Sequence, residues 1–265
     1  MPAPAARQIL PTAKSAAEIR ADYDLAVRQR SFFSARTTQA RYLRWLRDMC
    51  DAFSQGNVSQ ADAETALRAE LDDLGYDPET GGFPGDEGIP PAKPGELRDL
   101  SSHCRLDLIL RTQQQLSANL ARKAAAAADP LGAFEHPAWR LVRMGAPLKP
   151  RDWHVRWQAA YAACGGEGAH PAEMVALKSS PIWAALGEYG EDSTGSDCPP
   201  FAYNSTMDWL DVERDEAVRL GLVEADEVPA VDFDGSLAEG EIADAIRALS
   251  PEDLAALQQE LAQWL

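Results

Sequence analysis

No run in this sequence approaches the roughly eighteen apolar residues that a membrane-spanning helix requires. Its start, MPAPAARQILPTAKSAAEIR, has no signal-peptide apolar core. The expectation is a soluble protein made in the cytoplasm. Cysteine is scarce: Cys50, Cys104, Cys164 and Cys198 form no Cys-x-x-Cys pair, which argues against a zinc ribbon or redox motif and fits a reduced compartment. They read as structural thiols, and the sequons at Asn57 and Asn204 carry no meaning without secretion. Gly-x-x-x-x-Gly-Lys-Ser/Thr and Gly-x-Gly-x-x-Gly, the phosphate-cradling loops, are missing, as are Gly-x-Ser-x-Gly and His-Glu-x-x-His. No enzyme activity and no cofactor are expected.

Lysine is absent from residue 184 onward. That stretch has twenty acidic residues against Arg214, Arg219 and Arg247, so it carries the whole net charge of -17, and residues 1 to 183 balance to zero. Acidic surface repels a phosphate backbone, whereas binding it takes lysine and arginine that release condensed counterions. Sequence-specific nucleic-acid binding is therefore not expected, and the acidic third reads as a solvated surface or as a dock for a basic partner. Arg28 to Arg47 is the opposite case, with six arginines and no acid. Within it Arg36, Arg41, Arg44 and Arg47 are the candidates for a charged contact; otherwise their stems cover the helix's own apolar face.

Histidine is equally sparse. His103 and Cys104 are neighbours that point about 100 degrees apart on a helix, and nothing in the spacing brings Cys164, His170 and Cys198 together. Asp232, Asp234, Gly235 and Glu241 fit four positions of a calcium-binding EF-hand loop, but its first position falls on Ala230. An acidic turn is the simpler reading, and no metal is expected.

The remaining patterns predict a mainly α protein: an N-terminal helical hairpin and long central helix, followed by a small α+β aromatic-rich domain and an acidic tail with a terminal helix. Residues 1–15, rich in Ala and Pro, read as a flexible arm. In the hairpin, 16–76, Tyr42, Leu46, Met49 and Phe53 form one stripe up to Gly56; Ser59 with Asp62 resembles a capping box, and Leu67, Leu71 and Leu74 line the second helix before Gly75. Gly and Pro crowd 77–95, a loop or linker and a soft domain boundary. The third helix is expected from Glu96 to Ala128, with Leu97, Leu100, Cys104 and Leu108 on one face. Short helices are expected near Arg156 to Ala163 and Pro171 to Leu186, strands near Trp139 to Met144 and Phe201, and a last short helix capped by Asp211. Residues 223–249 read as an acidic linker. In 250–265, Ser250, Pro251 and Asp253 start a helix whose Leu254, Leu257, Leu261 and Trp264 line one face, a partner-binding candidate or a helix folded onto the protein's own core.

Five of the seven tryptophans, Trp139, Trp153, Trp157, Trp183 and Trp209, fall between Pro137 and Leu222 among closely spaced prolines. Such a segment is built to hold a shape. The order FFSARTTQARYLRWLRD, LRDLSSHCRLDLILRTQQQLSANLAR, PRDWHVRW and CPPFAYNSTMDW resembles the head-morphogenesis family of bacteriophage minor head proteins, the Mu F type, across roughly residues 30 to 222. These are packing motifs, and where the family has arginine, threonine and an acid in its central helix this chain has Arg111, Thr112 and Gln113.

The resemblance implies a structural protein of the virion head, present in the host cytoplasm during assembly. It implies the portal, the major capsid protein or both as partners, no membrane, proximity to packaged DNA, and a part in head assembly and DNA packaging or ejection. Two other readings stand beside it. One is a particle-borne hydrolase or effector using carboxylates of the 197–215 region, such as Asp208 and Asp211, which requires a concave site with converging acids and a raised pKa. The other is an acidic cytoplasmic adaptor for a basic partner.

Overall fold

A computed structural model describes residues 7–24, 27–28, 31–84, 92–146 and 150–224. The protein is mainly α: eight helices and five short strands are found among the described residues. The chain divides into two compact units between Gln114 and Gln115. That division falls inside the long helix, not in the Gly/Pro segment 77–95. Among the described residues no helix is long and apolar enough to cross a membrane.

In the first unit, β1 (Gln8–Ile9) pairs in parallel with β2 (Ser31–Phe32), and Thr12 bridges Thr37. The part of the expected flexible arm that is described is therefore built into the fold. Within the long helical region expected from residue 16 to Gly56, β2 intervenes between two helices. The first, α1 (Ala16–Asp22), opens with a complete capping box: the Ser15 hydroxyl accepts from Glu18 N and the Glu18 carboxylate accepts from Ser15 N. Between the helices Arg36 takes a φ of 60°.

The second, α2 (Ala40–Ser54), buries Tyr42, Leu43, Leu46 and Cys50, and packs on α3 (Gln60–Asp73) through Ala63, Leu67 and Leu71. Ser59 caps α3 by accepting from Asp62 N at 3.2 Å, but the reciprocal bond of a capping box is replaced by Ser59 Oγ donating to the Asp62 carboxylate at 2.7 Å. Aspartate is one methylene shorter than the glutamate that normally reaches back. At the other end Gly75, with φ 74°, lets its own N–H reach Asp72 O and that of Tyr76 reach Leu71 O, closing the last turn as a Schellman motif.

The expected start of the third helix at Glu96 is corrected to His103: α4 is His103–Ala127. The Asp99 carboxylate accepts from the N–H groups of Gly95 and Ser101 and from Ser101 Oγ, which holds the preceding segment in turns. Leu97 is 47% exposed and Cys104 is exposed, so neither lies on the buried stripe. Leu106 and Leu110 supply it instead, joining the α2–α3 core with Tyr76, Phe83 and Leu100.

The second unit begins with the end of α4 and continues through α5 (Pro130–Glu135) to the strand β3 (Ala138–Arg143). Asp152 caps α6 (Trp153–Ala163), and the chain returns as β4 (Val175–Leu177), α7 (Ile182–Glu188), β5 (Met207–Val212) and α8 (Arg214–Arg219). Two expectations are corrected here. The helix expected over 171–186 is confined to its end, because 175–177 pairs with β3; Asp211 lies in β5, and Glu213 occupies the N-cap of α8. Near Phe201 there is only an isolated bridge between Ser193 and Ala202.

The sheet is antiparallel in the order β4-β3-β5, with Trp139 opposite Asp211 and Leu141 opposite Trp209. Alternation sends Trp139, Leu141, Met207 and Trp209 to one face and Ala138, Val175 and Val212 to the other. The first face is covered by α6, α7 and the Leu116 and Leu120 side of α4, and the second by α8 through Ala217. Leu141 N donates to Met174 O, away from β5, so the peptide of Trp209 faces the open edge. Its N–H there donates to the Asp208 carboxylate at 2.7 Å, its C=O accepts from Arg122 Nη1 at 2.7 Å, and Met207 N donates to Ser205 Oγ.

Candidate functional site

All five tryptophans of the aromatic segment converge in the second unit and are buried. Trp139 from β3 and Trp209 from β5 stack at 3.9 Å with their planes 13° apart. Trp183 from α7 meets Trp139, Trp157 and Trp209 edge-on at 5.5–6.2 Å and stacks on Phe201 at 6.0 Å. Edge-to-face packing sets the positive ring edge against the negative face, adding about 0.5–1.5 kcal/mol per pair beyond burial. Three indoles are also pinned at their N–H: Trp139 donates to Asp211 Oδ1 at 3.0 Å, Trp157 to His170 O at 2.9 Å and Trp183 to Leu177 O at 2.8 Å. Trp209 Nε1 has no hydrogen-bond partner among the described residues.

Ionic ties surround this core. Arg122 reaches the Asp211 carboxylate at 2.7 Å and the almost fully buried Lys178 reaches it at 3.2 Å. Burial pushes the Asp211 carboxyl up, but Arg122 and Lys178 outweigh it and hold the group below the ordinary carboxylate value. Asp192 is governed in the same way: burial raises it, and Arg156 and Arg151, both at 2.5 Å, bring it below its ordinary value. Lys123 pairs with Asp197, and Asn119 donates to Pro199 O. Asn119, Arg122 and Lys123 thus form one polar face of α4, three and four residues apart, beside apolar Leu116 and Leu120. These three side chains tie α4 to Pro199, Asp211 and Asp197; a search for apolar stripes does not find them, although their i, i+3, i+4 spacing is present in the sequence.

The acids of the 197–215 region are accounted for individually. Asp197 is paired with Lys123, Asp208 accepts from Trp209 N, Asp211 is held by two cations, Glu213 is the N-cap of α8 and Asp215 lies in its first turn. Among the described residues no three of His, Cys, Asp and Glu come together in a metal-holding group. The EF-hand-like segment lies outside the described residues.

Of the four arginine candidates, Arg41 binds Glu70 and Asp73 on α3, both at 2.7 Å, and Arg47 binds Asp48 and accepts its second restraint by donating to Arg7 O. Arg44 is half-buried beside Trp45, which is 39% exposed. Two of the four candidates, Arg41 and Arg47, thus serve the first unit's own packing. Leu254, Leu257, Leu261 and Trp264 lie outside the described residues. A shallow cleft of about 540 Å³ opens in the second unit, lined by the end of β3, the start of α6, Met174 and Met207.

The fold is that of a mainly helical protein whose second unit is built on a tryptophan core tied by ion pairs. Comparison with family models, curated proteins and solved structures finds no match.

Proposed function

We propose that this chain is a structural minor head protein of a phage or prophage, associated with the portal vertex and assisting head assembly and DNA packaging or ejection. One observation supports the reading most: PRDWHVRW and CPPFAYNSTMDW, far apart in the chain, supply Trp153, Trp157, Phe201 and Trp209 to one core. The residues behind the resemblance thus act together as a packing unit, which is what a shape-holding role needs. In finer detail, an N-terminal helical hairpin and long central helix lead to this aromatic domain, and an acidic tail ending in an amphipathic helix docks to the portal or major capsid protein.

The test is quantitative mass spectrometry of gradient-purified particles, counting this chain against the major capsid protein and portal. The expected result is a reproducible ratio of a few to about a dozen copies per shell, as a cyclic vertex imposes. Absence from particles at every assembly stage overturns the reading.

A further inference from the structure

The geometry points to the cleft at the start of α6 as a docking site for an acidic peptide segment of a partner protein that carries aliphatic side chains. The inference is independent of the head-protein reading. The floor is apolar: Leu141, Trp153 and Met207 are at least nine-tenths buried, and Met174 is half-buried beside them. Its volume of about 540 Å³ falls in the range of pockets that hold a ligand group. Two more apolar side chains, Met144 at 65% and Val155 at 54% exposure, follow directly in the chain on the lining residues Arg143 and His154.

Charge sets the identity of the occupant. The one acid of the lining, Asp152, caps α6 through Oδ1, which accepts from Val155 N at 3.1 Å, and faces two arginines and a histidine in the same lining. Arg151 is held by Asp192 and by Tyr203 O. Arg143 donates one Nη2 hydrogen to Arg151 O at 3.0 Å and has no acidic partner among the described residues, and His154 has no hydrogen-bond or ionic partner among them. His154 supplies an N–H donor in either ring form. The rim therefore offers two exposed donors, at least one cationic, around an apolar floor. A segment alternating acidic and aliphatic residues sets carboxylates on Arg143 and His154 and an aliphatic side chain on the floor.

The test uses the full chain and a fluorescein-labelled Asp-Leu-Asp-Leu-Asp-Leu peptide, followed by fluorescence anisotropy at physiological ionic strength. The control peptide has Asn in place of Asp. Saturable binding of the acidic peptide is expected, weakened about tenfold in Arg143→Glu and in His154→Glu. Both positions are exposed, so these variants should melt as the parent does. A photoreactive version of the peptide checks the site without any substitution, by labelling 141–144 or 150–155. The proposal is overturned if acidic and amide peptides bind alike, if folded Arg143→Glu binds as the parent does, or if labelling falls elsewhere. Self-association that Arg143→Glu abolishes, with no peptide binding, would instead assign the cleft to a second copy and overturn it too.

Discussion

Gly187→Ala sets local preference against tertiary contact. Gly187 is buried near the end of α7, where alanine gains about 1 kcal/mol in helix propensity. A Cβ there would stand 1.8 Å from Ser196 O and 2.6 Å from Ser196 C, so the backbone must separate by roughly 1.5 Å to restore normal contact. The loop is not free to retreat. Gly195 N donates to Gly187 O at 2.9 Å, Thr194 Oγ1 donates to Pro200 O at 2.6 Å, Asn119 holds Pro199 O, and Lys123 holds Asp197. Overpacking costs about 1–3 kcal/mol, and each hydrogen bond lost costs about 1 kcal/mol more. The net expectation is a destabilisation of about 2–3 kcal/mol. Urea unfolding followed by tryptophan fluorescence measures it, as a lower midpoint at unchanged slope. A variant as stable as the parent, or more so, would refute the reasoning by showing that the 194–200 loop yields at little cost.

Trp209→Ala removes the indole stacked on Trp139 and should cost about 3–5 kcal/mol, read as a lower urea midpoint; a near-unchanged midpoint would mean the aromatic segment is not a core. The carboxyls of Asp192 and Asp211 lie below their ordinary value in the fold, so their stabilisation is complete above that value and is lost as pH falls from it through the lowered one. Asp211→Asn should therefore flatten the acid limb of a stability-versus-pH series and, since Asp211 is 40% exposed, cost only about 1–2 kcal/mol at neutral pH. With a thiol reagent, exposed Cys104 should react first, whereas Cys50, whose thiol burial pushes up to about 12, and buried Cys198 should react only on unfolding. Ser59→Ala should lower stability by about 1 kcal/mol through loss of the α3 cap.

What could be read from the sequence was what a local period or cap encodes. Tyr42 and Leu46, Leu67 and Leu71, and the stop at Gly75 follow from helical spacing and from glycine's access to positive φ. What was hidden depended on distant partners. Gln8–Ile9 is a strand only because Ser31–Phe32 lies beside it, and residues 175–177 pair with β3 where a helix is expected. The placement of Asp211 is of the same kind: alternation holds only for Met207 and Trp209, Val212 lies on the other face, and pairing with β3 carries the strand through Asp211. At the site, the gathering of tryptophans could be anticipated from composition, but the choice of Asp211 as the anchor for Arg122, Lys178 and the Trp139 indole could not, because it joins side chains up to 89 residues apart.

The open edge of β5 has a consequence for crowding. A strand at the rim of a sheet is normally a template on which another chain can lay its own backbone. Here Asp208, Ser205 and Arg122 already occupy the N–H and C=O groups of Trp209 and the N–H of Met207. A second copy brought alongside finds side chains to recognise but little free main chain to extend at these residues. Many molecules can therefore be held close together without this rim seeding a continuous sheet through them.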